Sequence, residues 1–239
     1  GQNKVVTANI DIYERYVQIQ TKSSIDAKTI KVLNPKEVVF EGGRELELDA
    51  VSEVPRYYVC NAYGVCGIYS APGTAVKEAY DTSGIVTNDR GVAVWLKGNR
   101  VSRNQIMAIK EESVTEQKNS LAVCLDNILR HAGITRNTEY DLAQGKTATT
   151  ILSENMTGVQ VLDLSGCTLD AVLYYVNQDI PVLAILEDGE AVLVTGFNEF
   201  NVVIMEPATG KLYKKGMNDA TAWFAENGNH FITYMRIEN

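Results

Sequence analysis

Residues 181 to 215 constrain this chain more than any other stretch. Four apolar-rich segments, PVLAILE, AVLVTGF, NVVIME and KLYKK, follow one another across the short turns EDGE, NEFN and PATG. Turns that short cannot carry the chain back for parallel pairing, which needs a crossover of a dozen or more residues. The segments therefore predict an antiparallel meander.

Helices surround it. SLAVCLDNILRHAG (120–133) sets Leu121, Cys124, Leu125, Ile128 and Leu129 on one helical face and stops at Gly133. TLDAVLYYVNQ (168–178) repeats the pattern with Leu169, Val172, Leu173 and Val176, and Thr168 stands where a cap belongs. DLAQG and TATTILSEN predict two shorter helices, VQVLDL (159–164) a strand, DATAWFAENG a last helix and HFITYMRI a closing strand. The expectation is an α+β domain, with helices packed on a four- or five-stranded antiparallel sheet.

The first hundred residues read differently. VVTANIDIY, YVQIQT, TIKVL, EVVFEG and RELELDAV alternate with period two between Gly, Asn, Pro and Ser. APGTAVKEAYDTSG (71–84) predicts one short helix with Pro72 near its start, and GVAVWLKG (91–98) a further strand. Glu45, Glu47 and Asp49 alternate with apolar residues, as on a solvated strand face. NQIMAIKEESVTEQKN (104–119) is charged and lacks alternation, which puts a boundary near 113: a β-rich domain over 2–112 and the α+β domain over 113–239.

The chain is long enough, at 239 residues, for one large or two small cores. A net charge of −8, with no basic cluster denser than KLYKK, argues against a nucleic-acid partner. No run of apolar residues is long enough to span a membrane. The chain starts at Gly1, not Met, so the lack of an export signal there does not argue for the cytoplasm. Cys60 and Cys66 flank a Gly64 turn, and a hairpin would bring them within disulfide reach, which would suit an oxidising compartment. The alternative is two small buried side chains. Cys124 and Cys167 sit among apolar helical positions and read as core thiols. A Cys-x5-Cys spacing without a paired His is a poor zinc pattern, so no metal or cofactor is expected.

The stretch NQDIPVLAILEDGEAVLVTGFNEFNVVIMEPATG, with the helix from Ser120 ahead of it, resembles the papain-like domain of C39-type (bacteriocin-leader-processing) cysteine peptidases. The likeness covers roughly residues 117 to 237. In that family a helix ends in Asn–Gln–Gly-like residues, a Pro-Val strand follows, and a histidine opens a Val-rich strand ending Thr-Gly-Tyr/Phe. An Asp-Pro comes after the next strand. The resemblance implies a thiolate at a helix N-terminus, a histidine that shuttles the proton, an Asp or Asn that orients it, and an upstream Gln for the oxyanion.

Carried over residue by residue, the nucleophile position is Ser120, followed by Leu121 and Ala122 in place of Gly-Pro. The histidine position is Glu190, and the Asp before Pro is Glu206. Gln117 lies three residues before Ser120, where the family has about six. What the resemblance implies is thus a catalytically inactive peptidase that binds an extended peptide or protein segment, in an exported or cell-envelope bacterial protein. Two rivals stand beside it. One is an active peptidase or acyl transferase, through Ser120 with the two glutamates at acid pH or through Cys124 with His131 or His230. The other is a purely structural envelope module. His131 is seven residues from Cys124 on one helix, about 10 Å along the axis, and so out of direct hydrogen-bond reach.

Overall fold

The computed structural model describes residues 30–34, 37–40, 44–47, 55–62, 64–97, 102–112 and 118–237. The chain divides into two compact units, Gly1–Lys97 and Gly98–Asn239.

In the first unit, β1 (Ile30–Asn34), β2 (Glu37–Phe40) and β3 (Arg44–Glu47) form an antiparallel meander. The side chains of Glu45 and Glu47, Asp49, and the segments VVTANIDIY and YVQIQT lie outside the described residues. A second sheet has the order β5-β4-β6-β7, from β4 (Tyr57–Asn61), β5 (Gly64–Tyr69), β6 (Ile85–Asn88) and β7 (Ala93–Leu96). Helix α1 (Pro72–Thr82) buries Ala75, Val76 and Ala79 against it, with Pro72 in its first turn and Ser83 left-handed at its end (φ 54°). Strand β6, IVTN, is too short to show an alternation and emerges only in the structure. Cys60 is buried and pairs across the ladder with Val65, while Cys66 falls at a bulge. The Cys66 side chain is outside the described ones, and the disulfide expectation with it.

The second unit is one antiparallel sheet with helices packed on it. Its strands are β8 (Val159–Asp163), β9 (Val182–Ile185), β10 (Ala191–Phe197), β11 (Asn201–Glu206), β12 (Lys211–Gly216) and β13 (His230–Arg236), in the order β12-β11-β10-β9-β13-β8. Four of these are the predicted meander. The sheet has six strands, not four or five, because the last strand of the chain inserts between β9 and β8 and pairs with both. Helices α2 (Ser120–His131), α3 (Glu139–Ala143), α4 (Ala148–Asn155), α5 (Leu169–Asn177) and α6 (Met217–Glu226) complete it. Thr168 caps α5 as its sequence predicts, accepting from the Ala171 N–H.

Strand β10 organises this unit. All seven residues of AVLVTGF are buried. Residues 191–194 pair with β9, and the strand then runs past the end of β9. Arg103–Ile106 takes over as the neighbour. Arg103 and Phe197 exchange main-chain hydrogen bonds (3.0 and 2.6 Å), and the Ile106 N–H donates to the Thr195 carbonyl (2.7 Å). Ile106 and Ile109 are fully buried as a result. Residues 103–112 therefore belong to the second unit, and the division falls at Lys97/Gly98, ahead of the position near 113 suggested by composition. The segment pairs through its backbone, while Lys110, Glu111 and Glu112 are exposed.

That approach explains Gly196. A Cβ there would press on the Asn104 carbonyl oxygen, with the Arg103 oxygen 2.9 Å away. Gly196→Ala should destabilise the protein by about 1–3 kcal/mol, the usual cost of overpacking, measured by urea unfolding. A change within error would mean that the 103–106 segment is not held there.

Helix α2 is tied to the turn that follows it by a buried carboxylate. Asp126 Oδ1 accepts from the Thr138 N–H at 2.9 Å, and the Thr138 hydroxyl donates to the Ala122 carbonyl. Burial raises the Asp126 carboxyl above its ordinary range, against the lowering effect of these hydrogen bonds. Because the folded pKa is raised, its charge opposes folding at neutral pH, and the penalty fades as pH falls through that raised value. Asp126→Asn should then be neutral or stabilising at pH 7, while Asp126→Ala should cost about 1–3 kcal/mol by orphaning the Thr138 N–H. Thermal melts of the two variants at pH 7 and pH 4 separate charge from hydrogen bond.

Candidate functional site

Ser120 opens α2 behind an Asn119 cap, whose side-chain oxygen accepts from the Leu121 and Ala122 N–H groups at 2.9 and 3.3 Å. The hydroxyl of Ser120 is aimed at the sheet. Its Oγ accepts the Ala191 N–H at 3.0 Å, in a buried bond. The reason is visible in the ladder. The β10–β11 pairing ends at Leu193–Met205, and the next main-chain-bonding row would set Ala191 against Pro207, where β11 has ended. Ser120 supplies the acceptor for that row.

Glu190 immediately precedes Ala191 and is exposed. The Leu186 N–H donates to the Glu190 carbonyl (2.8 Å), so the β9–β10 ladder continues one row into the turn. The Asp188 side chain accepts the Glu190 N–H at 3.0 Å. Glu206 ends β11, exposed, and its Oε2 accepts the Thr209 hydroxyl at 2.9 Å. The register sets Glu206 in the row of Val192, and residues 190 and 192 of an extended strand face the same side. Ser120, Glu190 and Glu206 thus gather at one end of the sheet, around the row that Ser120 completes. Gln117 lies outside the described residues.

The positive end of α2 meets a carboxylate: Glu139 Oε1 accepts the Asn119 N–H at 3.3 Å. Leu121 and Ala122, two N–H groups that a helix start would offer to an anion, are bound by Asn119.

The other candidates are elsewhere or buried. Cys124 is fully buried, and burial pushes its thiol well above the ordinary value, with the Glu190 carboxylate adding to the rise. A reactive thiol needs the opposite shift. The Nε2 of His131 lies 2.6 Å from the Asp179 carbonyl oxygen, and the Asp179 carboxylate takes Arg103 Nη1 at 2.8 Å. His131 therefore serves the far end of α2. His230 begins β13, exposed, opposite Ile185, which is in turn opposite Ala191. That places it in the same row as Ala191 but two strands away, about 9–10 Å at ordinary strand spacing. Cys167 is buried in the core. Among the described residues no group of three or more His, Cys, Asp or Glu could hold a metal ion. No helix among them is long and apolar enough to cross a membrane.

The sequence comparison located Ser120, Glu190 and Glu206 by counting, but nothing in it showed the Ser120–Ala191 bond. The only available hint was Pro207, which ends β11 one row before β10 ends.

No family model matches the chain, and no curated protein matches it significantly. Among solved structures, one described as a C39-like peptidase from Bacillus anthracis is similar to it, with a TM-score of 0.49 and 12% identity. The match covers 58% of this chain and all of that one.

Two outcomes follow from the geometry. Ser120→Ala leaves the buried Ala191 N–H without its acceptor and should cost about 1–3 kcal/mol in denaturant unfolding. Cys124 should resist iodoacetamide in the native protein and react at the rate of an ordinary thiol once unfolded; mass spectrometry of timed samples would show equal rates if the thiol were active.

Proposed function

We propose that the C-terminal unit is a peptidase-shaped domain without peptidase chemistry, which binds an extended peptide or protein segment and does not cleave it. The observation that carries this reading is the hydrogen bond from the Ala191 N–H to Ser120 Oγ. On the resemblance, Ser120 and Glu190 correspond to nucleophile and histidine, and in this bond the Ser120 hydroxyl accepts from the amide of the residue that follows Glu190.

The chemistry argues for inertness. A serine hydroxyl needs a base to remove its proton as it attacks. Carboxylates ionise near pH 4 in general, so they hold protons too weakly to serve that purpose at neutral pH. One lone pair of the hydroxyl is also committed to Ala191. Cys124, the remaining nucleophile on the helix, is sealed in the core with a raised pKa. A sheet end with exposed Glu190 and Glu206 keeps surface for contact while lacking the groups for turnover. An exported or envelope protein is the setting in which we place it, on the resemblance to C39-type peptidases.

The test has two arms. Incubated with unfolded casein and a mixed peptide library from pH 4 to 8, the protein should release no new termini by mass spectrometry. Turnover abolished by Ser120→Ala or Cys124→Ser would overturn the proposal. On a peptide array the intact protein should retain extended peptides, and Glu190→Lys, an exposed change that leaves the fold alone, should alter the set retained. Retention of the same peptides by both proteins would remove this end of the sheet from the binding reading.

A further inference from the structure

Strand β12 ends the sheet on one side and, among the described residues, pairs with β11 alone. The register runs unbroken from Asn201–Gly216 to Glu206–Lys211. In an antiparallel ladder alternate residues turn both main-chain groups away from the neighbour. Leu212 is one of these, because its N–H leaves the sheet and meets Glu111 Oε1 at 3.2 Å. Lys214, two residues on, has the same phase and so turns its N–H and C=O outward too.

The charge of this edge runs against that of the molecule. KLYKKG holds Lys211, Lys214 and Lys215 and no acid, in a chain of net charge −8. Lys211 and Lys214 are exposed, and Tyr213 is 38% exposed. The Lys215 ammonium lies 5.1 Å above the Trp223 ring. Side chains alternate along a strand, so Lys211, Tyr213 and Lys215 share one face while Leu212 and Lys214 share the other. Cations thus flank the outward backbone on both sides of the sheet.

We propose that β12 is a docking edge for an extended acidic segment of a partner protein, which adds to the sheet as an outer strand. The incoming backbone would take up the outward N–H and C=O of Lys214, and its carboxylates would lie across from the lysines. Glu111 already shows the chemistry the edge accepts, a carboxylate on an outward N–H. The same lysines bar a second copy of this strand, since pairing would set ammonium against ammonium. Lys211 lies opposite Glu206 and so borders the Ser120 end, but the outward N–H and C=O of Lys214 face the other side of β12, and the docking edge does not depend on the Ser120–Ala191 bond.

The experiment uses the whole chain and three labelled peptides of equal length in fluorescence anisotropy. One alternates Glu and Val, one alternates Lys and Val, and one is the Glu–Val peptide N-methylated at every second residue. The Glu–Val peptide should bind, and the Lys–Val peptide should not. The double change Lys211→Glu, Lys214→Glu should weaken binding about tenfold or more, from the reversal of two cross-strand pairs. N-methylation, which keeps the charge and removes backbone donors, should weaken it comparably. No binding of the Glu–Val peptide, equal binding of the Lys–Val peptide, or binding indifferent to the lysine reversal would overturn the proposal. Full binding of the N-methylated peptide would overturn it as well, by showing that charge acts without strand addition.

Discussion

Strand β10 must satisfy every main-chain donor and acceptor away from water, because all seven of its residues are buried. The surrounding structure meets that demand piece by piece. Strand β11 takes one edge, and β9 takes the first half of the other. Arg103–Ile106 takes the second half, where Thr195 is the extra residue of a bulge and turns its carbonyl to Ile106. The Ala191 amide lies beyond the end of the β11 pairing, and a helix start is brought to it so that Ser120 can accept. The candidate site stands where this edge of β10 passes from strand partner to helix.

The same demand separates the main-chain roles of these positions from their side chains. A hydroxyl at position 120 completes the sheet end without help from a base, and Glu190 contributes its carbonyl to the β9–β10 turn whatever its side chain. The main-chain bond at position 190 does not depend on which side chain stands there, so that side chain can vary while the strand order stays. The buried Cys124 belongs to the same logic: on the inner face of α2, with Leu125, Ile128 and Leu129, it is packing material.

Much of this was legible in the sequence, for reasons that can be named. The meander from 181 to 215 was readable because each turn is short, and α2 and α5 because their apolar spacing and caps agree. The insertion of β13 between β9 and β8 was not, since strand order is fixed by long-range pairing that no local pattern encodes. Residues 103–112 were hidden for a related reason: they bond through the backbone, which any sequence can do, while Lys110, Glu111 and Glu112 advertise a solvated linker. Ser120, Glu190 and Glu206 could be counted off, but the hydrogen bond that gives Ser120 a task could not.

The pairing of Arg103 with Phe197 makes the second unit less of a cassette than its helices suggest. Its architecture begins before its first helix, in a strip of chain that also leads out of the preceding unit. A cut made just ahead of α2 would remove Ile106 and Ile109 from the core and leave the Thr195 and Phe197 backbone facing solvent. Transplanting or shuffling this domain therefore requires carrying its lead-in along, and a lineage that recombined such domains at the helix boundary would expose the sheet and lose part of the core at once.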